Sequence, residues 1–156
     1  MFGFPRKKQP ATPSAPQAFQ PNVAVKETLA RHNDQPTDKN ILRLLYRSLG
    51  QGFLMVAVDR PPPVDSSGMV EHDAPIKMLS SSSPAGGLAL LAFTDPAEAL
   101  KRVGSRADVG VIALASQDVL KHALKSNNDG VVINPAGPWA YVPRSVLTQI
   151  LAGQYA

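Results

Sequence analysis

Leu90-Leu91-Ala92-Phe93-Thr94-Asp95-Pro96-Ala97-Glu98-Ala99-Leu100 is the stretch whose reading decides the fold. Its first four residues close the apolar run Gly87-Leu88-Ala89-Leu90-Leu91-Ala92-Phe93, which has the length and bounded ends of a β-strand. The chemistry then changes abruptly. Asp95 is placed to cap a helix, Pro96 falls on the first helical position, where a missing N–H costs nothing, and Glu98 stands three residues after the cap to complete a capping box. The helix is expected to run through Ala99, Leu100 and Val103 and to stop near Gly104. A strand that passes straight into a capped helix is the joint of a sheet packed by helices.

Upstream, residues 23 to 31 form a short helix-capable stretch with Val25, Leu29 and Val23 on one side. A second helix has Thr37 as its cap, Asp38 in its first turn and an apolar stripe at Ile41, Leu42, Leu45, Ser48 and Leu49, leaving Arg43 and Arg47 to water; Gly50 and Gly52 end it. Phe53-Leu54-Met55-Val56-Ala57-Val58 is a continuous apolar run between Gly52 and the triple proline 61–63, the pattern of a strand buried on both faces. Residues 64 to 74 read as a polar loop. Pro75 to Leu79 is expected to be a strand that pairs with Gly87–Phe93 across a polar connection, Ser80 to Gly86.

Downstream, Val109 to Leu114 reads as a strand, with Ser116 capping a helix through Val119, Leu120, Ala123 and Leu124. Gly130 is expected to be a turn residue. Val131-Val132-Ile133 is a β-branched strand leading into Asn134-Pro135-Ala136-Gly137-Pro138, a rigid turn from which Trp139-Ala140-Tyr141-Val142 returns. A last helix starts at Pro143 with Val146, Leu147, Ile150 and Leu151 inward. No period repeats, so solenoids and propellers are unsupported.

In this order, the helical opening, the strand that follows it, the 90–100 passage and Val131-Val132-Ile133-Asn134-Pro135-Ala136-Gly137-Pro138 with its trailing helix resemble the amino-terminal domain of the SseB family, the enhanced serine sensitivity proteins of bacteria. The resemblance spans roughly Val25 to Leu151. It implies a small bacterial α/β domain, often paired with a second domain, with no established catalytic residues. The chain ends soon after the second motif, unlike the two-domain form, and the leader before Val25 is no part of the resemblance.

The 156 residues suit one domain, and an apolar share of 44% suffices for one core. The expected fold class is α/β (α+β), a mixed sheet of about five strands packed by helices over residues 23–156. Residues 1–22 hold Pro5, Pro10, Pro13, Pro16 and Pro21 among Gln, Ala, Ser and Thr, and read as a disordered, partly polyproline-like basic tail. No signal peptide or spanning segment is visible, so the expected location is cytoplasmic. The chain has no cysteine, which removes disulfides and thiolate chemistry. Arg6, Lys7 and Lys8 account for three of the formal net charge of +4, leaving the domain nearly neutral and arguing against nucleic-acid binding through it.

Chemistry is sparse. His32, His72 and His122 fall on separate elements without metal-ligand spacing, and no metal or cofactor is expected. His72, between Glu71 and Asp73, is the best titratable candidate, but neighbours on an extended chain point to opposite faces. The Ser80–Ser83 run lacks the strained frame of a serine nucleophile. Asn134 to Pro138 would expose a few backbone amides to an anion, yet has no phosphate-loop lysine. Trp139 and Tyr141 share one face of their strand, with Ala140 and Val142 on the other; they are either core filler or, if helices cover one face only, a partner-binding patch. The expected function is a non-enzymatic interaction module for another protein, oligomeric state open. Its expected surface is Asn134, Pro135, Gly137, Pro138, Trp139 and Tyr141. The alternatives are a small-ligand binder or enzyme using the loops near His72 and Asn134, and a nucleic-acid or anionic-membrane adaptor acting through the basic tail.

Overall fold

The apolar run Phe53–Val58 becomes the strand β1, as its length and flanking turn residues predict. The computed structural model of the protein describes residues 22–59, 77–104 and 109–154. Before β1 lie α1 (Val23–Asp34) and α2 (Lys39–Leu49); after it come β2 (Ser80–Ser82), β3 (Leu88–Phe93), α3 (Pro96–Val103), β4 (Gly110–Ala115), α4 (Ser116–Lys125), β5 (Gly130–Ile133), β6 (Ala140–Pro143) and α5 (Arg144–Leu151). The tail (residues 1–21), the loop of residues 64–74 with His72, and the start of the expected strand at Pro75 lie outside the described residues.

The sheet is mixed, in the order β4-β1-β3-β5-β6, with β2 added beside β3. β3 and β5 are parallel; every other pair is antiparallel. β1 and β2 share one side of β3. β1 pairs near Ala92 and Phe93, while β2 takes Leu88 to Leu90. Leu79 fills the fork between them, its N–H donating to Ala57 and its carbonyl accepting from Leu91 N–H.

Side chains alternate along each strand, so the sheet has two distinct faces. Leu54, Val56, Val58, Leu90, Ala92, Val131, Ile133, Ala140 and Val142 form the main core with residues of α1, α2, α4 and α5. On the opposite face Ala57, Leu91 and Phe93 pack under Ala99 and Val103 of α3. Among the described residues, four helices therefore cover one face, and a single short helix covers part of the other.

Five local expectations are corrected. The described part of the expected strand Pro75–Leu79, from Lys77 on, is not a strand but makes only an isolated bridge from Met78 to Val58, and the first hairpin pairs Ser80–Ser82 instead. The serines pair because Leu88–Leu90 presents a backbone edge, and pairing overrides their weak strand preference. Gly130 begins β5 instead of turning: a β-carbon there would collide with the backbone carbonyl of Val142 on β6. The cap of α2 is Asp38, whose carboxylate accepts from the N–H groups of Asn40 and Ile41, and not Thr37. Ser116 does not cap α4; its hydroxyl donates to the Leu49 carbonyl at 2.6 Å, tying α4 to α2. Val23, placed on the apolar side of the first helix, is exposed at its surface.

Candidate functional site

The two sequence motifs meet where β3 and β5 end side by side. Asn134 directly follows Ile133, Thr94 stands two residues after its strand partner Ala92, and both are buried. Asn134 Oδ1 accepts from the Thr94 N–H at 3.0 Å, and Asn134 Nδ2 donates to Thr94 Oγ1 at 2.9 Å. Its own N–H donates to the Ala92 carbonyl at 3.0 Å. Asn134 adopts φ 54°, a left-handed conformation that asparagine tolerates better than most residues. A turn follows, closed by Gly137 N–H donating to the Asn134 carbonyl at 3.0 Å, with Pro135 at the position that favours such turns.

The network continues into α3. Thr94 Oγ1 donates to Asp95 Oδ2 at 3.1 Å, and Asp95 Oδ1 caps the helix by accepting from Glu98 N–H at 2.9 Å. Lys26, on α1, donates to Asp95 Oδ2 at 2.8 Å and lies 3.8 Å from Glu98 Oε2, which also accepts from Lys101 at 2.9 Å. Burial works against the Asp95 anion, but the hydrogen bonds from Lys26, Glu98 N–H and Thr94 outweigh it and hold its carboxyl below its ordinary value. Lys26 is correspondingly raised, mainly by its hydrogen bond to Asp95. The expected capping box is half made: Glu98 does not reach back to Asp95. Its side chain is 2% exposed and points under the Asn134–Gly137 turn, with Oε1 buried and without a hydrogen-bond partner. A β-carbon on Gly137 would sit 2.6 Å from that oxygen, so glycine is what lets the turn lie on the carboxylate.

Beyond this turn the chain surfaces at Trp139. Its backbone carbonyl is anchored by Asn33 Nδ2 from α1 at 3.0 Å, while its side chain is 46% exposed. As the alternation predicts, Ala140 and Val142 enter the main core, and Trp139 and Tyr141 lie on the face that α3 leaves open. Tyr141 is half-buried and donates from its hydroxyl to the Asp129 carbonyl at 3.3 Å. Two shallow depressions meet at Trp139. One, of about 410 Å3, is lined by His32, Asn33, Pro36, Pro84, Trp139, Ala140 and Tyr141. The other, of about 350 Å3, is lined by Ser81 to Pro84, Val132, Pro135 and Trp139.

A family model described as the SseB protein N-terminal domain matches residues 25–148. The chain belongs to the SseB family. No curated protein and no solved structure matches it. The two passages that carried the resemblance are thus the two halves of one hydrogen-bonded joint in this SseB domain.

Of the residues singled out from the sequence, Asn134, Pro135, Gly137, Trp139 and Tyr141 come together, but with divided tasks. Asn134 and Gly137 are internal to the joint. Pro135, Trp139 and Tyr141 line the depressions, and Pro138 is exposed between the two groups. His32 borders the larger depression; His122 lies half-buried on α4, away from both. Among the described residues no group of three or more His, Asp or Glu is placed to hold a metal ion, and no helix is long and apolar enough to cross a membrane. Sequence reasoning missed Lys26 and Lys101. Lys101 had a local signal, being three residues after Glu98 on a helix. Lys26 had none, because 69 residues separate it from Asp95.

Proposed function

We propose that this SseB domain is a protein-interaction module without catalytic chemistry of its own, and that its partner contacts the face around Trp139 and Tyr141. The observation that carries the reading is the half-exposed indole of Trp139 standing between two shallow depressions on the sheet face that one short helix only partly covers. A large apolar ring with a polar edge, fixed from behind by a backbone hydrogen bond, is the kind of anchor on which interfaces concentrate their binding energy. The polar groups nearby support the same division of labour. Thr94, Asp95 and Asn134 are spent on one another and on the Glu98 N–H beneath the surface, and Glu98 Oε2 is paired with Lys26 and Lys101, so these groups steady the face more than they offer themselves to a substrate.

The test is capture of partners from extracts of the native cell on the immobilised full chain, its Trp139→Ala variant and a Leu100→Ala control. Leu100 is exposed on α3 and borders neither depression. The expected result is at least tenfold weaker capture by Trp139→Ala, about 1.4 kcal/mol or more, with the control unchanged and thermal stability within about 1 kcal/mol of the parent. Equal capture by all three chains would remove this face as the interaction surface.

A further inference from the structure

The two lateral edges of the sheet, β6 and β4, are finished differently. On β6 the pairing pattern is fixed by Arg144 N–H, which donates to the Asp129 carbonyl at 2.8 Å one step beyond the pair Gly130 and Pro143. Bonded and unbonded pairs alternate along an antiparallel ladder, so Trp139, Tyr141 and Pro143 turn their backbone groups outward. Pro143 has no N–H to offer, and the Trp139 carbonyl already accepts from Asn33 Nδ2 at 3.0 Å. A proline and a clasping side chain are means by which an edge is kept from recruiting another strand.

β4 has neither. Gly110-Val111-Ile112-Ala113-Leu114-Ala115 carries no charge and no proline over its 6 residues, and it is the outermost strand on its side. Ser116 N–H donates to the Gly52 carbonyl at 2.8 Å, one step beyond the pair Phe53 and Ala115. The bonded pairs with β1 are therefore Leu54 with Leu114, Val56 with Ile112 and Val58 with Gly110. Ala57 agrees with this pattern, since its carbonyl faces the other way and accepts from Leu79 N–H at 2.8 Å. Val111, Ala113 and Ala115 thus direct their N–H groups away from β1, and among the described residues no strand meets them there. Ala113 is exposed, and Val111, Ile112 and Leu114 are half-buried.

We propose that β4 pairs antiparallel with β4 of a second copy of this chain, about a two-fold axis through Ala113, so that the two sheets become one. The outward residues are symmetric about Ala113, which is what a two-fold interface requires. Ala113 lies opposite Ala113 of the second copy, and Val111 lies opposite Ala115. Ala113 exchanges two hydrogen bonds with its twin, and each Ala115 N–H donates to the opposing Val111 carbonyl, the Ala115 carbonyl being left to the first turn of α4. At the unbonded positions Ile112 meets Leu114 of the second copy on both sides of the axis, withdrawing two half-buried apolar side chains from water. The match comes from the strand's own symmetry and needs no foreign sequence, and the methyl group at the axis leaves room for the two strands to close. The contact is short, so the dimer is of the weak, reversible class. β4 and β6 are opposite edges, so pairing leaves Trp139 open and gives the dimer two such faces, which strengthens binding to any partner that offers two sites.

Sedimentation velocity of the full chain between about 1 µM and about 1 mM, the range in which weak contacts become half-filled, is expected to show the mass rising from one chain toward two. Ala113→Lys and Ala113→Glu each set like charges face to face at the axis and should weaken association at least tenfold. An equimolar mixture of the two should restore it to the parent's strength, because opposite charges then meet. Amide exchange reads the same contact without substitution. With about nine-tenths of the chains paired, the Ala113 and Ala115 amides should exchange about tenfold more slowly than in dilute solution, while those of Ile112 and Leu114, already bonded to β1, keep their rates. A parent that stays monomeric throughout overturns the proposal. So does a dimer that both charged variants leave intact, which places the contact elsewhere, or a mixture that stays apart while each variant melts as the parent does. If the variants fail to fold, the exchange decides, and Ala113 and Ala115 amides indifferent to concentration overturn it. The Trp139 face is read separately, by partner capture.

Discussion

At the scale of single residues, the contact between Gly137 and Glu98 couples a turn to a helix. Gly137→Ala pushes a β-carbon onto a buried carboxylate that the backbone above cannot easily leave. The expected cost is about 1–3 kcal/mol. Glu98→Ala opens the space, so in that background Gly137→Ala should cost much less; urea unfolding of the four chains of the cycle measures the coupling, expected at about 1 kcal/mol or more. Asp95 gives a second expectation, for pH. Its carboxyl is held below its ordinary value of 3.8, so the stability it contributes is present above that pH and is lost as pH falls through the lower, folded-state value. Between roughly pH 5 and pH 2 the melting temperature of the parent should fall more steeply than that of Asp95→Asn, which has no proton to take up there. Lys26 has the opposite sense, stabilising below its ordinary 10.5 and losing that contribution above it, but its exposed ammonium is screened by water and adds little.

Among the elements, α4 shows how an end can be finished from a distance. The helix stops at Lys125, and the guanidinium of Arg144, the first residue of α5, donates to the carbonyls of Ala123, Leu124, Ser126 and Asn128 at 2.5 to 3.2 Å. A planar fork suits several acceptors at once where an ammonium does not. Arg144→Lys is expected to destabilise the domain by about 1–2 kcal/mol, read by chemical denaturation, with faster amide exchange at the α4 C-terminus. This is also the scale at which the sequence is most and least legible. The ends of β1, β3 and α3 follow from Gly52, Asp95, Pro96 and Gly104 because those residues act on their own neighbours. β2 could not be read from Ser80-Ser81-Ser82, whose strand is imposed by Leu88–Leu90. The start of β5 was hidden because Gly130 is required by the approach of β6 and not by a local turn.

At the scale of the molecule, the division of the sheet, among the described residues, into a face with four helices and a face with one decides what is left for function. The alternation of Trp139 and Tyr141 against Ala140 and Val142 was visible in the sequence; their exposure was not, because it depends on which face α3 covers and how far it extends. The joint was half legible. The two motifs were recognisable separately, but nothing local says that Asn134 bonds to Thr94, 40 residues earlier, or that Lys26 reaches across from the first helix.

The bond from Asn33 to the Trp139 carbonyl closes a span of 106 residues. On the ribosome this clasp can therefore form only after residue 139 has emerged, whereas the oily stripe of Val25 and Leu29 can already bury itself against the second helix.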